Sequence, residues 1–524
     1  MTTDHDSGNR CDDSSRHECY GALMNVTALI MSTGVFCAAG LLAPRADANA
    51  FPAANDLWRL SADEHLIINR GGPVHDLGDV NGDGHDDIVL AAGSGSARVV
   101  FGPTTGNNGR LDVTLQGGVG GFSIEGDFSH VGGGEDFNGD GINDIAVSGP
   151  GVAHVVFGRR GEFPSALVAE ELDGSNGFSV ETFGITSVAL VPDINGDGLA
   201  ELAVGNREAD APGFRDAGML TVVFGQSTPM PAATRPFALG PAQGFIAYGE
   251  DTLDQLGWSV GAAGDLNGDG LHDLVVGAPG VDVNDIDDAG RAYIIFGNRD
   301  MPIRWDLAAL DGSDGFRFNG RGVEHAAGQA ARLAGDLNGD GIDDLAIGAP
   351  GMGPFGNPNA HPGEVAVVFG SAAIPATLDA DALDGENGFV VLGERGGTVP
   401  EREGFVAWGD RLGVSASVAG DINADGHDDM IIGAPYTIIN EQRRGNGSVY
   451  VVYGRPAGDA FPALLPVTAL DGNNGFRWVG TGTTDYTGHS VSRARDFNGD
   501  GIDDVFFGAS GQGESYVVYG RRGN

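Results

Sequence analysis

Lysine is absent from all 524 residues: the 29 basic side chains are arginines, and 73 Asp and Glu residues leave a formal net charge of -44. A surface this acidic repels nucleic acid and anionic lipid, which excludes both as partners, and it attracts divalent cations. Cysteine is nearly absent too, since Cys11, Cys19 and Cys37 all fall within the first 40 residues. The rest of the chain has neither a disulfide framework nor a thiolate site, so its stability rests on packing and on ions. The 12 histidines are scattered, with no nucleophile motif or His-carboxylate cluster beside them. That leaves little footing for catalysis.

Glycine is abundant instead, with 90 copies against a usual share of roughly 7%. There is no triplet period, and 41% of the residues are hydrophobic, enough for a core. The combination reads as an all-β chain of many short strands joined by tight turns. One uncharged stretch, residues 21–44, is followed by the small-x-small sequence Ala46-Asp47-Ala48, the pattern of an export signal and its cleavage site. Residues 1–20 carry five acids against Arg10 and Arg16, not the usual basic start. A signal peptide and an uncleaved membrane anchor therefore both stay open for residues 1–50, and either one puts the protein outside the cytoplasm.

The pattern D-x-N-x-D-G-x-x-[D/E] occurs seven times, beginning at Asp79, Asp136, Asp193, Asp265, Asp336, Asp421 and Asp496. Such a period marks a repeat protein, and the repeat decides the fold. Each copy runs into an apolar segment such as "DLVVGAP" (273–279) or "DMIIGAP" (429–435), and later into a second segment ending in Phe-Gly or Tyr-Gly. A third piece, seen as "LDGSDGFRFNG" (310–320), and a fourth just ahead of each acidic loop, such as "LGWSVGAAGD" (256–265), complete the set. Four short β-rich pieces in each of seven repeats predict a seven-bladed β-propeller of four-stranded antiparallel blades over residues 51–524. The seventh copy ends without its outer piece, while "LSADEHLIINRG" (60–71) aligns with 310–320, Leu60 on Leu310 and Leu66 on Phe316. An N-terminal strand near 62–72 is thus expected to complete the last blade and close the ring, which removes open sheet edges.

Three carboxylates within nine residues repel one another unless a cation sits among them. Calcium takes six to eight oxygens from loops that alternate ligands with spacers. Side chains at loop positions 1, 3, 5 and 9 supply oxygens, the backbone carbonyl at position 7 adds another, and glycines between them permit the tight turn. His85 and His427 stand at that backbone position. The absence of His or Cys side-chain ligands disfavours zinc and copper, and the number of oxygens disfavours magnesium. EF-hand and dockerin loops place their last ligand at position 12 before a helix, whereas here it falls at position 9 before a strand. One such turn is an ordinary hairpin dipeptide; seven with the same donors are not.

The candidate calcium ligands are Asp79, Asn81, Asp83 and Asp87; Asp136, Asn138, Asp140 and Asp144; Asp193, Asn195, Asp197 and Glu201; and Asp265, Asn267, Asp269 and Asp273. The remaining sets are Asp336, Asn338, Asp340 and Asp344; Asp421, Asn423, Asp425 and Asp429; and Asp496, Asn498, Asp500 and Asp504. Glu201 reaches one methylene further than the other closing acids, and Ala424 stands where the other loops have glycine. The third and sixth sites are accordingly expected to bind most weakly. Up to seven Ca2+ ions would link folding to free calcium.

Phe-Gly strand ends, "GAP" after the acidic loop, and D-x-N-G-D-G before it resemble the FG-GAP repeats of the amino-terminal seven-bladed propeller of integrin alpha subunits, over residues from near Phe51 to the end. The resemblance implies an extracellular adhesion or ligand-recognition module, a single monomeric propeller whose metal sites lie opposite its ligand surface. A glycan-anchor phospholipase D carries similar repeats, and residues 1–50 hold no counterpart of its catalytic domain. The leading expectation is a secreted or surface-tethered calcium-dependent module that binds a protein or glycan and meets a membrane only through an N-terminal anchor. Its alternatives are a polysaccharide-acting propeller enzyme and a structural cell-envelope protein. The longer inserts, 207–217, 281–290, 351–363, 394–408 and 436–446, would supply the binding surface, with Trp408 and Tyr436 as contact residues or as local packing.

Overall fold

Runs of Val, Ile, Phe and Tyr bounded by glycine form strands throughout the computed structural model, which describes residues 51–522 apart from 92–94, 105, 107, 114–119, 183, 185, 228, 352–360, 395–408 and 439–444. The uncharged stretch 21–44, the three cysteines, Trp408 and parts of three inserts lie outside the described residues. The strands assemble into seven sheets. The fourth shows the plan: Val260–Gly264, Asp273–Ala278, Arg291–Ile295 and Gly315–Asn319 pair antiparallel in chain order. First strands of successive sheets touch in a closed circuit, the seventh returning to the first. The sheets are therefore blades around a central channel, and the fold is the seven-bladed β-propeller that the repeat predicts.

Each blade has five strands rather than the expected four. The fifth is a piece of two or three residues, such as Ala166–Val168, that runs parallel to the fourth strand of the preceding blade. It comes from the connection between the third and fourth strands of the next blade, so every blade hands one strand back to its neighbour. These pieces are largely exposed and only two or three residues long, too short for a periodicity to announce them.

Both faces of a blade are covered by neighbours, so a middle strand such as Asp273–Ala278 is buried along its whole length. That is why the second strands read as continuous apolar runs instead of alternating ones. The cores lie between blades: one packs Val222 and Phe245 of the third blade against Val276, Tyr293 and Ile295 of the fourth.

Ring closure uses more of the N-terminal segment than one strand. His65–Ile68 pairs antiparallel with Glu514–Val518 as the fourth strand of the last blade, as expected. In addition, Ala54–Asp56 pairs parallel with Gly475–Val479 and becomes the fifth strand of the sixth blade. Phe51 stacks on Phe476 with centroids 4.4 Å apart, and the Arg521 guanidinium lies 4.0 Å over its ring. The same arrangement joins Phe461 to Phe389 at 4.3 Å under Arg455, so the two chain ends together rebuild an ordinary repeat contact.

A buried ion pair crosses the seam inside the channel. Asp76 of the first blade accepts from Arg493 Nε at 3.1 Å, Arg495 Nε at 2.9 Å and Ser492 Oγ at 3.3 Å of the seventh. Burial opposes the charge of Asp76, but the two guanidiniums hold its pKa well below the usual carboxylate range. A carboxylate with a depressed folded pKa stabilises fully above its unfolded value near 4 and loses that contribution as pH falls below it. Replacing Asp76 with Asn should cost on the order of 3 kcal/mol at neutral pH. In denaturant titrations the gap between wild type and Asp76→Asn should close as the pH is lowered from about 5 towards 2; a gap independent of pH would show that Asp76 carries no charge-linked stability.

Candidate metal centres

Each acidic loop connects the first strand of its blade to the second. In six blades the first strand reaches it through a β-bulge, with Gly78, Gly264, Gly335 and Gly420 at φ between 58 and 81°. A left-handed residue there tips the chain out of the sheet, a conformation glycine takes at little cost. In the seventh blade Arg495 takes that conformation at φ 50°, held by its bond to Asp76.

Inside the loop the predicted donors curl towards one another and accept the loop's own amides. In the first copy Asp79 Oδ1 accepts the Gly82 N–H at 2.6 Å and Oδ2 the Gly84 N–H at 2.8 Å. Asn81 Oδ1 accepts the Asp83 N–H at 2.8 Å, and Asp83 Oδ1 the His85 N–H at 2.9 Å. The bonds to positions 1 and 5 recur in all seven copies, for example from Gly426 to Asp421 and from Ile502 to Asp500. The four sequence-predicted residues of each set thus share one small loop.

The closing acid at position 9 differs from the other three. Asp87, Asp144, Glu201, Asp273, Asp344, Asp429 and Asp504 are all fully buried. In the fourth blade Asp273 Oδ2 accepts the Leu266 N–H at 2.9 Å, while Oδ1 accepts the N–H of Gly297, the glycine of Phe-Gly, at 2.9 Å. One carboxylate therefore ties the loop to the end of the third strand. Burial, with the other loop carboxylates adding to it, pushes Asp87, Asp144, Asp273 and Asp504 up to about 8 and Glu201 up to about 9. Asp344 and Asp429 rise well above the ordinary range for the same reason. A buried anion beside two like charges is the chemistry that a divalent cation relieves.

The third and sixth loops depart from the pattern in ways that matter. In the third, one oxygen each of Asp193, Asp197 and Glu201 lies within 4.8 Å of the others, an arrangement that can hold a metal ion. In the sixth, Ala424 sits at φ 57°, and Asn423 does not receive the amide that the other asparagines accept. Asn423 Oδ1 and Asp429 Oδ2 are left buried without a hydrogen-bond partner. Two orphaned oxygens in one acidic loop fit a cation, because an unsatisfied buried acceptor is costly.

Sequence reading missed what the loops do to their neighbours. The position-8 acid of one blade accepts the position-1 amide of the blade before it: Asp265 N–H to Asp343 Oδ2 at 2.9 Å, Asp336 N–H to Asp428 Oδ2 at 3.2 Å, and Asp421 N–H to Asp503 Oδ2 at 3.0 Å. Loop carbonyls receive amides in the same sense, as from His272 to Asp193 at 3.2 Å and from Arg455 to Leu337 at 2.8 Å. The paired acids in "DDL", "DDM" and "DDV" were the available signal, but their partners lie about a repeat away in the chain.

The FG-GAP repeat pattern matches residues 185–223, 256–295, 328–368 and 412–452, within the third to sixth blades. The chain is 29% identical to integrin alpha pat-2 of Caenorhabditis elegans over 276 residues, which cover 51% of this chain and 18% of that protein. It is 29% identical to integrin alpha-5 of Xenopus laevis over 266 residues, 51% of this chain and 21% of the relative. Phosphatidylinositol-glycan-specific phospholipase D of Mus musculus is 31% identical over 246 residues, 46% of this chain and 25% of its own length. The chain thus spans a quarter or less of each of these relatives.

Ala424 offers a clean test of loop geometry. Its equivalents Gly268 and Gly339 sit at φ 72 and 70°, and a β-carbon in left-handed backbone costs about 1 kcal/mol. Ala424→Gly should therefore stabilise the protein by about 1 kcal/mol, and Gly268→Ala should destabilise it by a similar amount. A β-carbon at 268 meets nothing closer than Ile342 Cδ1 at 3.6 Å, so sterics do not confuse the result. Equal melting midpoints for both variants and wild type would contradict the assignment.

Proposed function

We propose, with the chain an FG-GAP repeat β-propeller that resembles the amino-terminal propeller of integrin alpha subunits, that it is an extracellular calcium-binding module that recognises a protein or glycan. Calcium is the ion that suits loops offering three carboxylates, one amide oxygen and a backbone carbonyl with no side-chain nitrogen or sulfur. The observation that carries the reading is the pair of orphaned buried oxygens on Asn423 and Asp429 in the sixth loop. The seven sets Asp79 to Asp87, Asp136 to Asp144, Asp193 to Glu201, Asp265 to Asp273, Asp336 to Asp344, Asp421 to Asp429 and Asp496 to Asp504 would each hold one ion. Seven divalent ions would leave about -30 of the formal charge of -44.

Strand order separates ion sites from the recognition surface. Acidic loops join first to second strands, whereas the described inserts 207–217 and 281–290 join second to third strands and so lie on the opposite face. Inserts 207–217 and 281–290 each fold back on themselves through an internal turn, closed by the bridges Ala211 to Phe214 and Val283 to Ile286. That face exposes Phe214, Leu253 and Val323, at 39, 45 and 63%, apolar groups a partner could cover. Tyr436 packs locally instead, 5.4 Å from the ring of Tyr486. Secretion or surface tethering follows from the adhesion reading and from the uncharged stretch ahead of the ring. Among the described residues no helix is long and apolar enough to cross a membrane.

The test is removal of the metal. Elemental analysis should find calcium, and EDTA should lower the melting temperature, with calcium restoring it. An occupied site at a free-ion level 100 times its Kd adds about 2.7 kcal/mol. Binding to matrix proteins and glycans, measured with and without chelator, should be lost when calcium is lost. An unchanged melting curve in EDTA, with no alkaline-earth metal in the protein, would falsify the proposal.

A further inference from the structure

A second kind of donor cluster lies on the insert-bearing face of the fifth blade. His325 is in the connection leading to its first strand, Ala330–Gly335, and His361 and Glu364 stand where the insert 351–363 runs into its third strand, Glu364–Val368. One ligand atom from each of the three lies within 4.8 Å of the others. His325 Nδ1 is 3.3 Å from Glu364 Oε1, His361 Nε2 is 3.7 Å from Oε2, and the imidazole centroids are 3.7 Å apart. Zinc–nitrogen and zinc–oxygen bonds of about 2.0–2.2 Å put tetrahedral donors roughly 3.3 Å apart. The cluster is close to that spacing.

Comparison with the other repeats shows what is special here. At the position of His325 the neighbouring blades carry Asp254, Asp410 and Asp485, each nearly fully buried. Asp254 accepts the Glu250 and Asp251 amides of its own connection at 2.8 and 2.7 Å, a structural bond. At the position of Glu364 the third and sixth blades have Met219 and Ser448. The fifth blade alone among these combines an imidazole at the first position with a carboxylate at the second and adds His361 beside them.

From this geometry we propose that His325, His361 and Glu364 form a binding site for one zinc-class transition-metal ion, separate from the calcium loops and on the opposite face. Two imidazoles and a carboxylate are the donors that select such ions, as oxygen-only loops select calcium. Burial and the neighbouring His325 push His361 down to about 4, so its ring is neutral at physiological pH. Burial works against the charge of Glu364, yet bonds from His325 and Arg321 hold it ionised, at about 2. Arg321 holds both oxygens of Glu364, with Nε 3.1 Å from Oε1 and 3.2 Å from Oε2 and Nη2 2.6 Å from Oε2, and is itself balanced by Asp381 at 3.4 Å. Hydrogen-bonded partners of this kind orient a ligating carboxylate. The Gly363 N–H donates to His361 Nδ1 at 3.1 Å. A metal on Nε2 displaces the proton from that nitrogen; the ring proton then sits on Nδ1, and the Gly363 bond is given up. With three protein donors the ion keeps an open coordination position, and it ties the connection before the fifth blade's first strand to the start of its third strand.

Zinc titration of the full chain in saturating calcium tests the site, with isothermal calorimetry for stoichiometry and X-ray absorption for the donor atoms. Wild type should bind one equivalent through nitrogen and oxygen that His325→Ala and His361→Ala each weaken by at least about 100-fold. Both histidines are partly exposed, so the variants should keep the calcium-dependent melting of wild type, and that melt serves as the folding control. Equal zinc uptake by wild type and the double variant, no saturable uptake by wild type, or sulfur ligation of the variant-sensitive ion would overturn the assignment.

Discussion

The buried carboxylate at position 9 of each acidic loop is the contact on which the rest of the propeller depends. In most blades it accepts an amide of its own loop with one oxygen and the amide of the Phe-Gly glycine with the other. A loop that would otherwise be a floppy acidic turn is thereby fixed to the end of the third strand. The same group is fully buried among like charges, a cost that hydrogen bonds, a counter-ion or protonation can offset. Packing in the blade and the proposed affinity for a cation would thus both rest on one side chain.

That contact spreads around the ring because the loops are also the joints. The carbonyls and amides at loop positions 1 and 2 bond to the following blade, while the opposite edge of each blade receives a fifth strand from its neighbour. Neighbouring blades are held at the loop end by polar bonds, between their faces by apolar cores, and at the rim by strand exchange. The seam between first and seventh blades has the N-terminal segment in two adjacent sheets and Asp76 bridging to Arg493 and Arg495. The ion binding proposed for one loop would therefore bear on the interface between two blades, which is a physical reason for a repeat to keep its acidic loop in every copy.

Much of this was legible in the chain. The seven acidic loops, the apolar second strand and the Phe-Gly third strand are local patterns, and the missing outer piece of the last copy pointed to residues 60–71 as its replacement. The fifth strands were not legible, because Arg304–Trp305 or Ala233–Thr234 is too short to show a period and is defined by the neighbour it pairs with. Glu201 and Ala424 stood out in the sequence as departures, but only geometry shows that the loop of the first brings three carboxylates together and that the loop of the second holds two unsatisfied oxygens.

By itself the sequence determined the repeat, the number of blades and the positions of the acidic loops, since each of these is written within about a dozen consecutive residues and depends on spacing alone. Tertiary structure decided which blade's amide each position-8 acid would meet, how the two chain ends share two sheets, and that His325 would stand beside Glu364 at a separation of 39 residues. Those outcomes depend on how far the chain turns between repeats, a property of packed sheets that no local run of residues encodes.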